Sequence, residues 1–128
     1  MSINVLVTDD SAVMRKMVIK TLQISGIPVG EIYEAANGQE GLKMLKENWI
    51  DLALVDINMP VMNGEEMVDK IRQDEEIKNT PVIIISTESS ENRINLLMKK
   101  GVGFVHKPFS PEILKDYILE KVGVLDEK

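Results

Sequence analysis

Cysteine is absent from the 128 residues, histidine occurs once, and the aromatic residues are one Trp, two Tyr and two Phe. Without cysteine there is no disulfide, no thiolate-bound zinc and no thiol nucleophile. The single histidine, His106, excludes a multi-histidine metal centre. No apolar run approaches the ~20 residues of a membrane span, and Met1-Ser2-Ile3-Asn4 lacks the basic start of a signal peptide. A basic surplus is missing too: 15 Lys+Arg stand against 21 Asp+Glu, a net charge of −6. Nucleic-acid surfaces are basic, so neither nucleic acid nor a membrane is expected as a partner. The expectation is a cytoplasmic protein that meets other proteins or a cation. The length suits one domain, expected to span residues 1–128 without an output domain, with a core that needs no covalent staple.

What is present is alternation. Asn4-Val5-Leu6-Val7-Thr8 is a β-branched run with little polar interruption, as a strand covered on both faces should be. Met14, Met17, Val18, Thr21 and Leu22 follow at helical spacing, and this helix should end near Gly26-Ile27-Pro28. Ile32 to Ala36 reads as a second strand, Asn37-Gly38 as a turn, and Leu42 and Leu45 as a second helix. Leu52 to Val55 is a third strand, and Met59-Pro60-Val61-Met62-Asn63-Gly64 is a loop by its Pro and Asn-Gly punctuation. Met67, Val68 and Ile71 mark a third helix, Val82 to Ser86 the most β-prone strand, and Ile94, Leu97 and Met98 a fourth helix stopped by Lys99-Lys100-Gly101. A fifth strand covers Phe104 to Lys107, and Pro111 opens a helix through Lys121. Five βα units predict an α/β fold: a doubly wound parallel sheet of flavodoxin-like order 2-1-3-4-5 with five helices.

In such sheets ligands bind beyond the carboxyl ends of the strands. Those exits carry Asp9 and Asp10 after strand one, Asp56 after strand three, Ser86 and Thr87 after strand four, and Lys107 after strand five. Two carboxylates about 4 Å apart repel by roughly 4 kcal/mol at an effective dielectric of 20. Such a cluster raises a pKa or holds a cation, and one lysine offsets only part of it. Two or three carboxylates suit Mg²⁺, which keeps waters and bridges to phosphate. A carboxylate is also a known phosphoryl acceptor. Each residue has a plainer reading. Asp9 and Asp10 could cap the next helix, Asp56 could end a turn, Lys107 could be solvated, and Ser86 could be an idle strand-end hydroxyl. His106 is expected to pack neutral on the face of Phe104. Met14, Met17, Met67 and Met98 are expected in the core, and Trp49 is expected far from the site.

Asp9-Asp10, Asp56 followed by Met59-Pro60-x-Met62-Asn63-Gly64, Ser86 after the isoleucine run, and Lys107-Pro108-Phe109 occur in order and at family-like spacing. Over essentially its whole length the sequence resembles the receiver domain of two-component response regulators, of the stand-alone CheY-like type. The resemblance implies a signalling switch rather than an enzyme in the ordinary sense, one that assists its own phosphorylation and dephosphorylation. It implies that Asp56 accepts a phosphoryl group from a histidine kinase or a small acyl phosphate. Asp10, Asp56 and the backbone carbonyl of Asn58 would ligate Mg²⁺, with Asp9 acting through water. It further implies a cis bond before Pro108 and a switch in which the Ser86 hydroxyl moves toward the phosphoryl group while the Phe104 ring turns inward. The output surface would be the fourth helix, fifth strand and fifth helix, facing a protein target that the sequence does not identify. A phosphatase is a further implied partner, and the unphosphorylated form is implied to be a monomer. Ser86 stands where Thr is commoner, which loosens the coupling, and Phe104 where Tyr is frequent. Asn58 and Glu88 match chemotaxis-type regulators.

A degenerate receiver, binding partners without phosphorylation, is the alternative. Retention of Asp10, Asp56, Ser86 and Lys107 together argues against it. A haloacid-dehalogenase-type phosphatase wants Asp-x-Asp after its first strand, and a flavin carrier wants a Ser/Thr-rich phosphate loop there, where Asp9-Asp10 would repel phosphate.

Overall fold

The computed structural model describes residues 2–122; the outermost ends of the expected domain, residue 1 and residues 123–128, lie outside them. The elements run β1 (Ile3–Thr8), α1 (Ala12–Ile24), β2 (Val29–Ala35), α2 (Gly38–Glu47), β3 (Leu52–Val55), α3 (Gly64–Gln73), β4 (Val82–Ser86), α4 (Glu91–Met98), β5 (Gly103–His106) and α5 (Pro111–Val122). The sheet is parallel in the order β2-β1-β3-β4-β5, as the alternation predicts.

Each strand divides its side chains between two cores. Leu6, Ala53, Val55, Val82, Ile84 and Phe104 face Leu45, Met67, Val68, Ile71 and Leu97 of α2, α3 and α4. Val5, Val7, Leu54, Ile83, Ile85 and Val105 face Val18, Leu22, Leu114 and Ile118 of α1 and α5. The period of two along a strand makes this division, and burial on both faces explains why β3 and β4 read as unbroken apolar runs.

The helices start on short polar side chains set at the strand exits. Ser11 accepts the Met14 N–H at 3.2 Å, Asn37 the Glu40 N–H at 2.9 Å, and Asn63 forms a reciprocal capping box with Glu66. Asn37-Gly38 is therefore the start of α2 rather than a free turn. Ser11, not Asp9 or Asp10, is the cap of α1, so the plain capping reading of those two acids does not hold.

Three expectations about packing are corrected. Of the four methionines expected in the core, only Met67 is fully buried. Met14 is half-buried, and Met17 and Met98 are exposed; Met14 and Met17 line an open groove with Lys107, Pro108 and Phe109 instead of entering the core. β2 begins at Val29 rather than Ile32. It is an edge strand with exposed Gly30 and Glu31, which hides it from an apolar pattern. His106 shares a face with Phe104 but is exposed, since it ends the opposite edge strand, β5. Trp49 lies before β3, 80% exposed, at the end of the sheet remote from the strand exits.

Candidate functional site

The crossover reverses direction between β1 and β3, and this switch point places their exits side by side. Thr8 pairs with Val55 in register, and the Asp56 N–H donates to the Thr8 carbonyl at 2.9 Å. Asp9, Asp10 and Asp56 thereby meet: one carboxylate oxygen from each lies within 4.8 Å of the others. Gly64 allows the following loop to fold back under them, since a Cβ there would collide with the Asp56 carbonyl. The Gly64 N–H donates to the Ile57 carbonyl at 2.8 Å.

Lys107 reaches in from β5. Its Nζ stands 3.6 Å from Asp9 Oδ2 and 3.7 Å from Asp56 Oδ1. The peptide between Lys107 and Pro108 is cis, as the resemblance implies, and the Lys107 N–H donates to the Ser86 carbonyl at 2.8 Å. One ammonium thus faces three carboxylates. Burial pushes the Asp56 carboxyl above its ordinary value near 3.8. Lys107 pulls it down, Asp9 pushes it up, the Ile57 N–H pulls it down, and Asp10 adds a further upward push.

Asp9 is the most enclosed of the three acids, 4% exposed. Its Oδ1 accepts the Ser11 N–H at 2.9 Å. Its own N–H donates to the Ala35 carbonyl, and its carbonyl accepts Arg15 Nη1 at 2.7 Å. Asp10 is exposed, and among the described residues its side chain makes no hydrogen bond. Asn58 is exposed in the loop after Asp56. Ser86 is buried, and its Oγ accepts the Glu88 N–H at 3.1 Å, which leaves the hydroxyl proton for another acceptor. Phe104 lies on the same sheet face as Ser86, 7% exposed within the α2–α4 core. The ring is therefore already inside. A phenylalanine allows this, because burying it strands no hydroxyl.

Three features of the site escaped the sequence pattern. Arg15 sits near the N-terminus of α1, where a cation opposes the helix dipole, and that misplacement was the available signal. Val61 has φ 67°, inside a γ-turn closed by the Met62 N–H on the Pro60 carbonyl at 2.6 Å. Nothing in a β-branched residue announces that conformation. Thr8 Oγ1 is buried without a partner among the described residues.

A divalent hard cation fits this donor set. Among the described residues Lys107 is the one cation paired with these three carboxylates, so net negative charge remains, and too few oxygens converge for a calcium cage.

Comparison with known proteins identifies the family. The family model described as response regulator receiver domain matches residues 5–119. Chemotaxis protein CheY1 of Helicobacter pylori is 37% identical over 123 residues, covering 94% of this chain and 98% of that protein. The CheY homolog of Campylobacter jejuni is 34% identical, covering 92% and 91%. Among solved structures, the chemotaxis response regulator CheY4 of Vibrio cholerae superposes with a TM-score of 0.81 at 36% identity, covering 94% of this chain and 98% of that one. The chain belongs to the response regulator receiver domain family.

Proposed function

We propose that this chain is a stand-alone phosphoacceptor switch: Asp56 takes a phosphoryl group from a histidine kinase, and the signal leaves as altered protein–protein binding. The observation that carries the proposal is the meeting of Asp9, Asp10 and Asp56 within 4.8 Å opposite one lysine.

A carboxylate oxygen of Asp56 attacks phosphorus, a P–O bond forms, and the bond to the donor imidazole or acyl oxygen breaks with its electron pair leaving on the donor. The transferred group carries spread negative charge, so the protein's task is positioning and neutralisation. Lys107 supplies the fixed cation. Asp10, Asp56 and the Asn58 carbonyl would hold Mg²⁺, with Asp9 behind them through water. When bound, the ion offsets the carboxylate charge and that of the incoming phosphoryl oxygens. Ser86 donates its free hydroxyl proton to a phosphoryl oxygen, and the resulting shift of the β4–α4 loop is felt by the packed Phe104 ring and by α4. Leu96, Met98, Ile113 and Tyr117 leave apolar surface exposed on α4 and α5 for a target. The names of the relatives point to chemotaxis as the pathway. No helix among the described residues is long and apolar enough to cross a membrane, and we place the protein in the cytoplasm as a monomer before phosphorylation, with a phosphatase to reset it.

The acceptor is tested by borohydride reduction after exposure to acetyl phosphate. An aspartyl phosphate at residue 56 becomes homoserine, read by peptide mass. Conversion at another acid, or none on a protein that binds Mg²⁺, contradicts the assignment, and the latter outcome favours the phosphorylation-independent binding module. Lys107→Ala should still accept phosphate but lose the amide-shift changes across α4, β5 and α5. Normal changes there would remove Lys107 from the switch.

A further inference from the structure

We infer that Arg15, anchored by Glu34, is a positioning residue that sets the metal-facing direction of Asp10. The inference rests on the Mg²⁺ site proposed above and adds residues on α1 and β2 that carry none of its ligands.

Asp9 is held on every side. Its N–H bonds the Ala35 carbonyl of β2, its Oδ1 takes the Ser11 N–H, and its Oδ2 faces Lys107. Asp10 has none of this. It is exposed and unpaired through its side chain among the described residues, so its direction is inherited from the peptide that joins it to Asp9. The carbonyl of that peptide accepts Arg15 Nη1 at 2.7 Å. The same guanidinium donates Nε to Glu34 Oε1 at 2.8 Å. The Arg15 side chain is 17% exposed and the Glu34 side chain 40%. A planar guanidinium can satisfy two acceptors in fixed relative directions, which a lysine ammonium cannot enforce. The fork therefore braces the β1–α1 turn against the edge strand and fixes the plane from which the Asp10 carboxylate projects. Outer residues that orient metal ligands commonly change affinity about 10-fold to 100-fold when removed.

The sign of the effect separates positioning from charge. Arg15 is a cation close to a cation site, so its charge alone opposes Mg²⁺. Its loss would tighten binding if electrostatics were its only role. Mg²⁺ titration calorimetry on wild type, Arg15→Ala and Arg15→Lys is the test, with amide spectra confirming the native fold of each. Positioning predicts about 10-fold weaker Mg²⁺ binding in Arg15→Ala and an intermediate loss in Arg15→Lys, which keeps the charge but not the fork. It also predicts that adduct formation with acetyl phosphate returns to near the wild-type rate when Mg²⁺ is saturating. Unchanged or tighter binding in Arg15→Ala overturns the inference. If Arg15→Ala does not fold, wild-type affinity in Arg15→Lys overturns it equally. A wild type that binds no Mg²⁺ overturns the metal site itself and this inference with it.

Discussion

The two ends of the sheet treat charge in opposite ways. At the carboxyl end three carboxylates face one lysine, a buried threonine hydroxyl has no partner among the described residues, and a valine is held at positive φ. At the amino end the polar groups are matched. Arg72 donates Nε to the Lys100 carbonyl and Nη1 to the Lys78 and Thr80 carbonyls, each at 2.9 Å, and Nη2 to the Gly101 carbonyl at 3.2 Å. Asn4 gives Nδ2 to the Trp49 carbonyl and takes the Glu31 N–H on Oδ1, both at 2.9 Å. The same sheet thus carries a satisfied end that ties elements together and an end with unbalanced charge, where the proposed ligands would sit. The difference teaches where substitution should destabilise and where it should do the reverse.

The sharpest test of that contrast is Arg72→Ala. Losing four charge-assisted bonds that join α3 to the loops around β4 and β5 should lower stability by about 2–3 kcal/mol. Mg²⁺ affinity should stay unchanged, as checked by denaturant melts and calorimetry. A loss of Mg²⁺ binding on the same scale would break the separation of the two ends.

Asp56→Asn should act with the opposite sign. Because the folded carboxyl is raised above its ordinary value near 3.8, the native state holds more protons than the unfolded state between that value and the raised one. Stability from this group therefore falls as pH rises through the window, and the penalty is complete above it. Without Mg²⁺, the asparagine variant should melt higher than wild type at neutral pH, by about 3–5 °C for each kcal/mol relieved, and the gain should fade below pH ~4. A variant that melts lower at pH 7 would contradict the claim of unsatisfied charge.

Val61→Asn relieves a β-branched residue at φ 67° that is 75% exposed. A gain of about 1 kcal/mol is expected, read from the shift in urea midpoint. The smallest effect should come from Lys46→Ala at the matched end. Its ion pairs with Asp74 and Glu76 are short, at 2.8 and 2.9 Å, but solvated, and the change should stay within about 0.5 kcal/mol.

The same contrast explains what the amino-acid sequence could reveal. The ten elements and the sheet order follow from buried apolar strands whose pattern is local. The acids and the lysine stand out because polar residues end apolar runs, so Asp9, Asp10, Asp56 and Lys107 were legible as strand exits, and the topology brings them together. Ser86 was legible as a strand-exit hydroxyl as well, and Phe104 became noteworthy only through family resemblance. What escaped was non-local. Arg15 reaches across to β2, Arg72 crosses to carbonyls 6 to 29 residues away, and neither has a spacing that betrays its partner. Met17 and Met98 show the limit of periodicity. Helical spacing gives the stripe, but not how far the neighbouring element extends over it.

The central claim is that the unsatisfied end exists to take a cation and a phosphoryl group on Asp56. Intact mass after incubation with acetyl phosphate, with and without Mg²⁺, on wild type and Asp56→Asn tests it most directly. One phosphoryl adduct that requires both Mg²⁺ and Asp56 is the predicted result. An adduct that forms equally without Mg²⁺ or on the asparagine variant, or no adduct from either acetyl phosphate or a panel of phosphorylated histidine kinases, would contradict it.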